Sequence, residues 1–316
     1  MSTRDMVDPE LLQALEFFPK MRFGDETLPS IRQELEVKFA AIPIPPGLGV
    51  TVEDVEIGGG ETWPEFKIRI YRPNVGKRAM PAFLHLHGGG FVLGSLTLAD
   101  AENRMLASEL GCAIIAVDYP LAPEHPYPQA LDACYAALQW IYGQAESLGI
   151  NGRIGVKGES AGGGLAAALA LLARERGEFE LAFQHLIQPM IDDRTGRGGH
   201  SHPFTGEFVW SARHNVFGWS ALLGPEGGGG DTSQYAAAAR ATDLTRLPRT
   251  YIAVGALDIF LEEDLEYARR LTCAGVAVEL HIYPGAYHGF DLLTNTLIGQ
   301  RARRDSVEAL RAALQS

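Results

Sequence analysis

From Val52 onward the chain alternates short apolar runs with stretches of helical spacing, and this rhythm constrains its fold more than any other feature. The apolar runs are 52–57, 67–72, 82–87, 113–118, 154–158, 185–189, 250–255 and 278–283. Helix-like stretches at 99–110, 130–147, 161–176, 263–274 and 301–314 separate most of the later ones. Short, continuously apolar runs are what strands covered on both faces require. Strands that alternate with helices imply a mostly parallel central sheet of about eight strands, flanked by helices on both sides. No helix falls between the first two runs, so they are expected to form an antiparallel hairpin at the sheet edge.

Two segments depart from the rhythm. In the first fifty residues Leu11, Leu12, Leu15 and Phe18 recur at helical spacing, as do Ile31, Leu35 and Phe39. The second group starts at Pro29-Ser30 and is followed by Pro43-Ile44-Pro45-Pro46, residues that punctuate a helix at either end. About sixty residues separate the run ending at Pro189 from the one starting at Thr250, and they carry Phe204, Phe208, Trp210, Phe217 and Trp219. A structureless loop of that length is uncommon in a compact domain, so helices are expected there. The reading is a helical N-terminal segment, residues 1–50, and a main α/β domain, residues 51–316. An insertion at about 192–235 would join the N-terminal segment as a cap.

Bulk properties exclude several classes. Hydrophobic residues make up 46% and charged residues 21% of the chain, which fits a globular protein and not a disordered or fibrous one. The formal net charge of −12 and the absence of a Lys/Arg run argue against a nucleic-acid partner. Cys112, Cys134 and Cys273 lie far apart without metal-type spacing, and the first two sit in apolar stretches, so no disulfide framework is expected. The N-terminus lacks the apolar core of a signal peptide, and the longest apolar stretch, residues 165–173, is too short to cross a bilayer. A soluble, cytoplasmic protein without stable membrane insertion is expected.

Chemistry concentrates first at Gly158-Glu159-Ser160-Ala161-Gly162, between an apolar strand and a helical run. A nucleophile on a sharp strand-to-helix turn needs small residues around it, because the backbone there is crowded. The helix N-terminus behind Ser160 also favours negative charge developing on a substrate oxygen. Upstream, His85-Leu86-His87-Gly88-Gly89-Gly90-Phe91 ends the third strand. Consecutive glycines let backbone N–H groups turn toward a ligand, and in acyl transfer such donors, with the N–H of Ala161, bind an oxyanion. The competing readings are a plain glycine turn or a His85/His87 metal pair. The latter lacks an evident third ligand, so no metal is expected.

A nucleophilic serine needs a base, and the base an orienting acid, in the order Ser, acid, His along this type of chain. Only His281 and His288 follow the strand after the insertion. His281 lies within a strand and is expected to point into a packed layer, whereas His288 occupies the following loop, where sites of open parallel sheets gather. Asp258 follows the strand 250–255 among apolar neighbours, where an idle carboxylate is awkward. Its competitors Glu262, Glu263 and Asp264 open a helix and read as N-terminal capping charge.

Together these residues resemble the hormone-sensitive-lipase-like, or bacterial family IV, esterases of the α/β-hydrolase superfamily. The motifs that carry the resemblance are His87–Gly90, Gly158–Gly163, His288-Gly289-Phe290 and the segment from Asp118 to Pro128, and the similarity spans roughly residues 50 to 316. It implies an α/β-hydrolase fold with a helical cap and a triad of Ser160, Asp258 and His288. It also implies oxyanion donors at Gly89, Gly90 and Ala161, with Gly88 making the turn. The implied activity is cofactor-free hydrolysis of short to medium acyl esters, a small-molecule substrate, in a chain that can pair as a homodimer. Phe91, Phe208, Trp210 and Phe290 are expected to line the pocket. Three positions depart from the family pattern: Pro120 where Arg is usual, Glu159 where Asp is commoner, and Ile259-Phe260 in place of Pro-Leu. The Asp118–Pro128 segment reads as a stiffened loop rather than a catalytic one. An amidase, lactonase or acyltransferase would use the same triad. A non-catalytic binder such as the plant gibberellin receptors, which resemble this fold, would lack the histidine.

Overall fold

The computed structural model describes residues 2–18, 22–24, 26–74, 79–197, 202–225 and 227–315. Parts of both expected covering segments (residues 1, 19–21, 25, 198–201 and 226) lie outside the described residues. Eight strands form one sheet: β1 (Val50–Ile57), β2 (Phe66–Pro73), β3 (Met80–Leu86), β4 (Ala113–Asp118), β5 (Ile150–Glu159), β6 (Phe183–Ile187), β7 (Arg249–Gly255) and β8 (Val278–Tyr283). Their spatial order is β1-β2-β4-β3-β5-β6-β7-β8. The pair β1–β2 is antiparallel, β2–β4 is antiparallel, and every pairing from β4 to β8 is parallel. The expected edge hairpin is therefore present, and the chain is an α/β fold of the doubly covered kind.

Period-two alternation assigns the faces. Ala82, Leu84, Ala113, Ile115 and Val117 join one core cluster with α4 (Gln129–Leu148), α5 (Ala161–Arg176) and α7 (Leu261–Cys273). Phe83, Ile114, Ala116 and Phe183 face the other way, against α3 (Asp100–Leu110) and α8 (Leu297–Gln315). Central strands β4, β6 and β7 are buried almost throughout, whereas the edges β1 and β8 mix half-buried with exposed residues and are buried only at Ile57 and Tyr283. That edge position corrects the expectation for His281. Because β8 is the edge of the described sheet, the His281 ring stays partly exposed and meets Glu279 at 2.8 Å.

The N-terminal part holds α1 (Pro9–Ala14), started by an Asp8 cap on Glu10 N, and α2 (Leu28–Ala40), with Pro29 in its first turn. The mid-chain insertion contributes α6 (Ala212–Leu223), capped by Ser211. Far from standing off the domain, α6 sinks Trp219 and Leu222 into the main core, and the Phe91 ring lies 5.0 Å from Trp219. The Cα of Gly218 faces the Gly90 carbonyl so closely that a Cβ there would sit 2.6 Å from its oxygen.

Candidate active site

Four chain turns meet at the carboxyl ends of the parallel strands, where ligands bind in open α/β sheets. They follow β3, β5, β7 and β8, and they carry the glycine block, Ser160, Asp258 and His288 respectively.

Ser160 links β5 directly to α5 and takes φ +53°, a left-handed conformation that L-residues adopt only when the surroundings enforce it. Its N–H donates to the Ile187 carbonyl at 2.8 Å, and its carbonyl accepts from Gly164 and Met190. Gly162 makes the turn possible, because a Cβ at that position would lie 2.0 Å from the Leu86 carbonyl oxygen. Ser160 itself is 7% exposed.

Asp258 and His288 are joined by a 2.8 Å hydrogen bond, from Nδ1 of the ring to Oδ2 of the carboxylate. The other carboxylate oxygen accepts from the Phe260 N–H at 3.0 Å, so the acid is fixed before it orients the ring. The Phe260 ring stands edge-on to the imidazole at 5.2 Å, and the Trp210 indole lies 6.2 Å from it. Among the described residues, no hydrogen bond joins the Ser160 hydroxyl to His288.

The glycine block turns back on itself, with Val92 and Leu93 N–H groups donating to the Gly89 carbonyl. Gly90, at φ +61°, lies under the Trp210 ring, and a Cβ there would approach the ring to 2.2 Å. Among the described residues, the N–H groups of Gly89, Gly90 and Ala161 donate to no protein acceptor. Gly88 packs its Cα against the Ser160 side chain.

The two block histidines have structural partners. His87 stacks on Tyr119 at 4.2 Å and its Nδ1–H donates to the Gly88 carbonyl, while the Tyr119 hydroxyl donates to the His87 carbonyl. Burial pushes the His87 imidazole down to about 4, so the ring is neutral at physiological pH. His85 lies on the α3 side of β3, with Nε2 2.8 Å from Glu159 and Nδ1 bonded to Asn103.

Glu159 occupies the position before Ser160 and contacts both His85 and the buried Lys157 ammonium. Burial alone would raise its carboxyl, but the neighbouring His85 and Lys157 outweigh it and hold Glu159 well below the usual carboxylate range. The same pairing, with Glu102, lifts Lys157 above the ordinary lysine value against the opposing effect of burial. The longer carboxylate at this position thus has a defined role as an anchor. Period two could have revealed it, since residues 157 and 159 of one strand share a face.

Phe91 and Phe290, expected at the pocket mouth, are placed elsewhere. Phe91, at φ +66°, turns its ring inward between Gly164 and Trp219 and is 2% exposed. Phe290 begins a 3₁₀ turn, packs on Tyr283 at 5.1 Å, and is 1% exposed. The Phe208 ring lies 6.0 Å from that of Tyr287, and the Trp210 ring lies beside His288. A residue the sequence did not single out joins them: Phe23 meets Trp210 at 5.7 Å, His214 at 5.0 Å and Phe217 at 5.4 Å, so the N-terminal segment and the insertion touch above the glycine block.

Sequence reasoning also missed two polar ties. Arg32 of α2 donates to the carbonyls of Val92 and Ala122 and pairs with both oxygens of Glu124, which anchors α2 beside the glycine block. Glu263, expected as a capping charge along with Asp264, is instead buried and accepts from the Ile191 and Asp192 N–H groups. Burial raises both carboxyls well above their ordinary values. Helix spacing turns these two residues toward the core while Glu262 stays exposed.

A family model described as alpha/beta hydrolase fold matches residues 83–292. The chain belongs to the α/β-hydrolase family, within its hormone-sensitive-lipase-like branch of esterases. Among its relatives, it is 34% identical to the Esterase LipI of Mycobacterium tuberculosis over 292 residues, covering 90% of this chain and 88% of that one. Among solved structures it superposes on a bacterial heroin esterase with a TM-score of 0.91 and 38% identity over the full length of both chains. The esterase LipW from Mycobacterium marinum gives 0.85 and 34%, covering 99% of this chain and 98% of that one.

Proposed function

We propose that this protein is a carboxylesterase that hydrolyses short to medium acyl esters through Ser160, His288 and Asp258. The observation that carries the reading is the 2.8 Å Asp258–His288 hydrogen bond at the end of the sheet where Ser160 sits strained at the head of α5. Asp258 accepts the Nδ1–H and thereby leaves Nε2 as the base. His288 takes the Ser160 proton as its oxygen attacks the ester carbonyl. The Gly89, Gly90 and Ala161 N–H groups, which have no protein acceptor, donate to the oxyanion, and Gly88 holds the turn. The alcohol leaves with a proton from His288, and water hydrolyses the acyl-enzyme by the same route.

The contacts of Phe23 with Trp210 and Phe217 support a two-part cover, made by the N-terminal helices and residues 192–235, over an acyl pocket formed in part by Phe208 and Trp210. Ser160→Ala is expected to lower kcat on p-nitrophenyl butyrate by at least about 10⁴-fold with circular dichroism unchanged. Turnover retained in that variant would overturn the assignment. Across p-nitrophenyl acetate to dodecanoate, kcat/KM is expected to peak at or below the octanoate. A maximum at dodecanoate would overturn the acyl-length part of the reading alone.

A further inference from the structure

Gln188 follows β6, yet it takes φ +47° and is 3% exposed. A non-glycine residue rarely adopts that conformation, so something in its surroundings fixes it there. Its backbone N–H donates to the Ala253 carbonyl at 2.7 Å. Its side chain spans to the turn after β8: Oε1 accepts from the N–H of Gly289, the residue after His288, at 2.7 Å, and Nε2 donates to Oδ1 of Asp291 at 2.6 Å.

We propose that Gln188 is a positioning residue for His288, its amide holding the Gly289 N–H while Asp291 fixes which way round that amide stands. This rests on the reading of Ser160 and His288 given above. A backbone N–H can only donate, so it needs the amide oxygen, and an ionised carboxylate can only accept, so it needs the amide nitrogen. Remove either partner and the amide is free to turn its NH₂ toward another donor.

The surroundings of Asp291 are mixed in charge. Glu102 of α3, Glu159 and Lys157 of β5, and His288 act on it. The cavity of about 450 Å³ that Asp291 lines also carries Arg69, Asp100 and Arg303. Burial first, then Glu102 and Glu159, push its carboxyl up to about 6. At neutral pH and above it is the acceptor that Gln188 requires.

The decisive variant is Gln188→Glu. It keeps an acceptor for Gly289 but sets a second carboxylate against Asp291, and such a pair shares one proton until the pH rises enough to remove it. On p-nitrophenyl butyrate its kcat is expected to match wild type near pH 6 and to fall about tenfold below wild type by pH 9, with KM little changed. Adding Asp291→Asn supplies an amide donor to the new carboxylate and should abolish that alkaline limb. Gln188→Met, with no amide, should lose about tenfold in kcat at every pH.

A Gln188→Glu profile that parallels wild type would overturn the proposal, as would an alkaline limb that survives Asp291→Asn. A folded Gln188→Met with kcat within about twofold of wild type would do the same. Should Gln188→Met not fold, the other two proteins still decide. Labelling by a fluorophosphonate separates the two levels of inference. An unlabelled wild type overturns the Ser160 reading, whereas wild type and Gln188→Met labelled at equal rates overturn the role of Gln188 alone.

Discussion

The floor of the site and the proposed cover above it are held by different kinds of contact. The floor, from the glycine block through the Ser160 turn to Met190, is fixed by backbone: carbonyls accept from Ser160, Gly164 and Met190, and Gly162 touches the Leu86 carbonyl. The cover is fixed by side chains. Arg32 grips Glu124 and two carbonyls, Glu36 accepts from Ser95 and Thr97 at 2.5 Å each, and Phe23 packs among the rings of the insertion. Backbone contacts fix atoms to fractions of an ångström and leave almost no substitution open. Side-chain contacts hold a segment in place but can be exchanged one at a time. The part that positions the catalytic turns is built the first way, and the proposed cover is built the second.

The sharpest challenge to this contrast is Gly162→Ala, which adds a methyl where 2.0 Å of space is available against rigid backbone. A loss of more than about 3 kcal/mol in urea unfolding, or no soluble protein, is expected. A stable, active variant would show that the floor can yield.

A somewhat smaller effect concerns pH. The folded His87 titrates near 4 and an unfolded histidine near 6.5, so the unfolded chain takes up a proton that the folded one refuses as the pH falls between these values. Stability contributed by neutral His87 is present above about 6.5 and is lost on the way down to 4, on the order of 2–3 kcal/mol. Asp291, raised to about 6, works in the opposite direction but is common to both proteins of the test. Urea midpoints of wild type should therefore fall more steeply from pH 7 to 4 than those of His87→Gln. Parallel slopes would show that the floor does not enforce the neutral ring.

The smallest effect belongs to the cover. Arg32→Met removes a partly exposed ion pair with its carbonyl contacts, and the expected stability loss is about 1 kcal/mol. KM for p-nitrophenyl butyrate should rise a few-fold while the melting temperature moves little. A loss as large as that of Gly162→Ala would erase the distinction between floor and cover.

How far the sequence could be read follows the same division. The sheet, its hairpin edge and the turns bearing Ser160, Asp258 and His288 were legible, because strand period, glycine placement and chain order are local properties. Strand limits were off by a few residues, as at β5, where Ile150–Glu159 runs past the apolar stretch 154–158 at both ends. What stayed hidden depends on distant neighbours. Phe91 looked like a pocket residue until its left-handed backbone turned the ring toward Trp219. Arg32 and Glu124 are 92 positions apart, and Gln188 and Gly289 are 101 apart, so no spacing rule joins them. Glu263 read as a cap because charge at a helix start has a sufficient local explanation, and only packing shows that it faces inward.

Trp219 carries a lesson about how such a chain can change. Its indole is fully buried in the main core, and its helix lies against the Gly90 carbonyl. The insertion is therefore not a detachable module that could be traded between relatives as a unit, since removing it would open a hole beneath the glycine block. Exchanges in that segment are better tolerated at partly buried positions such as Phe208 and Phe217 than at Trp219, whose removal reaches the core.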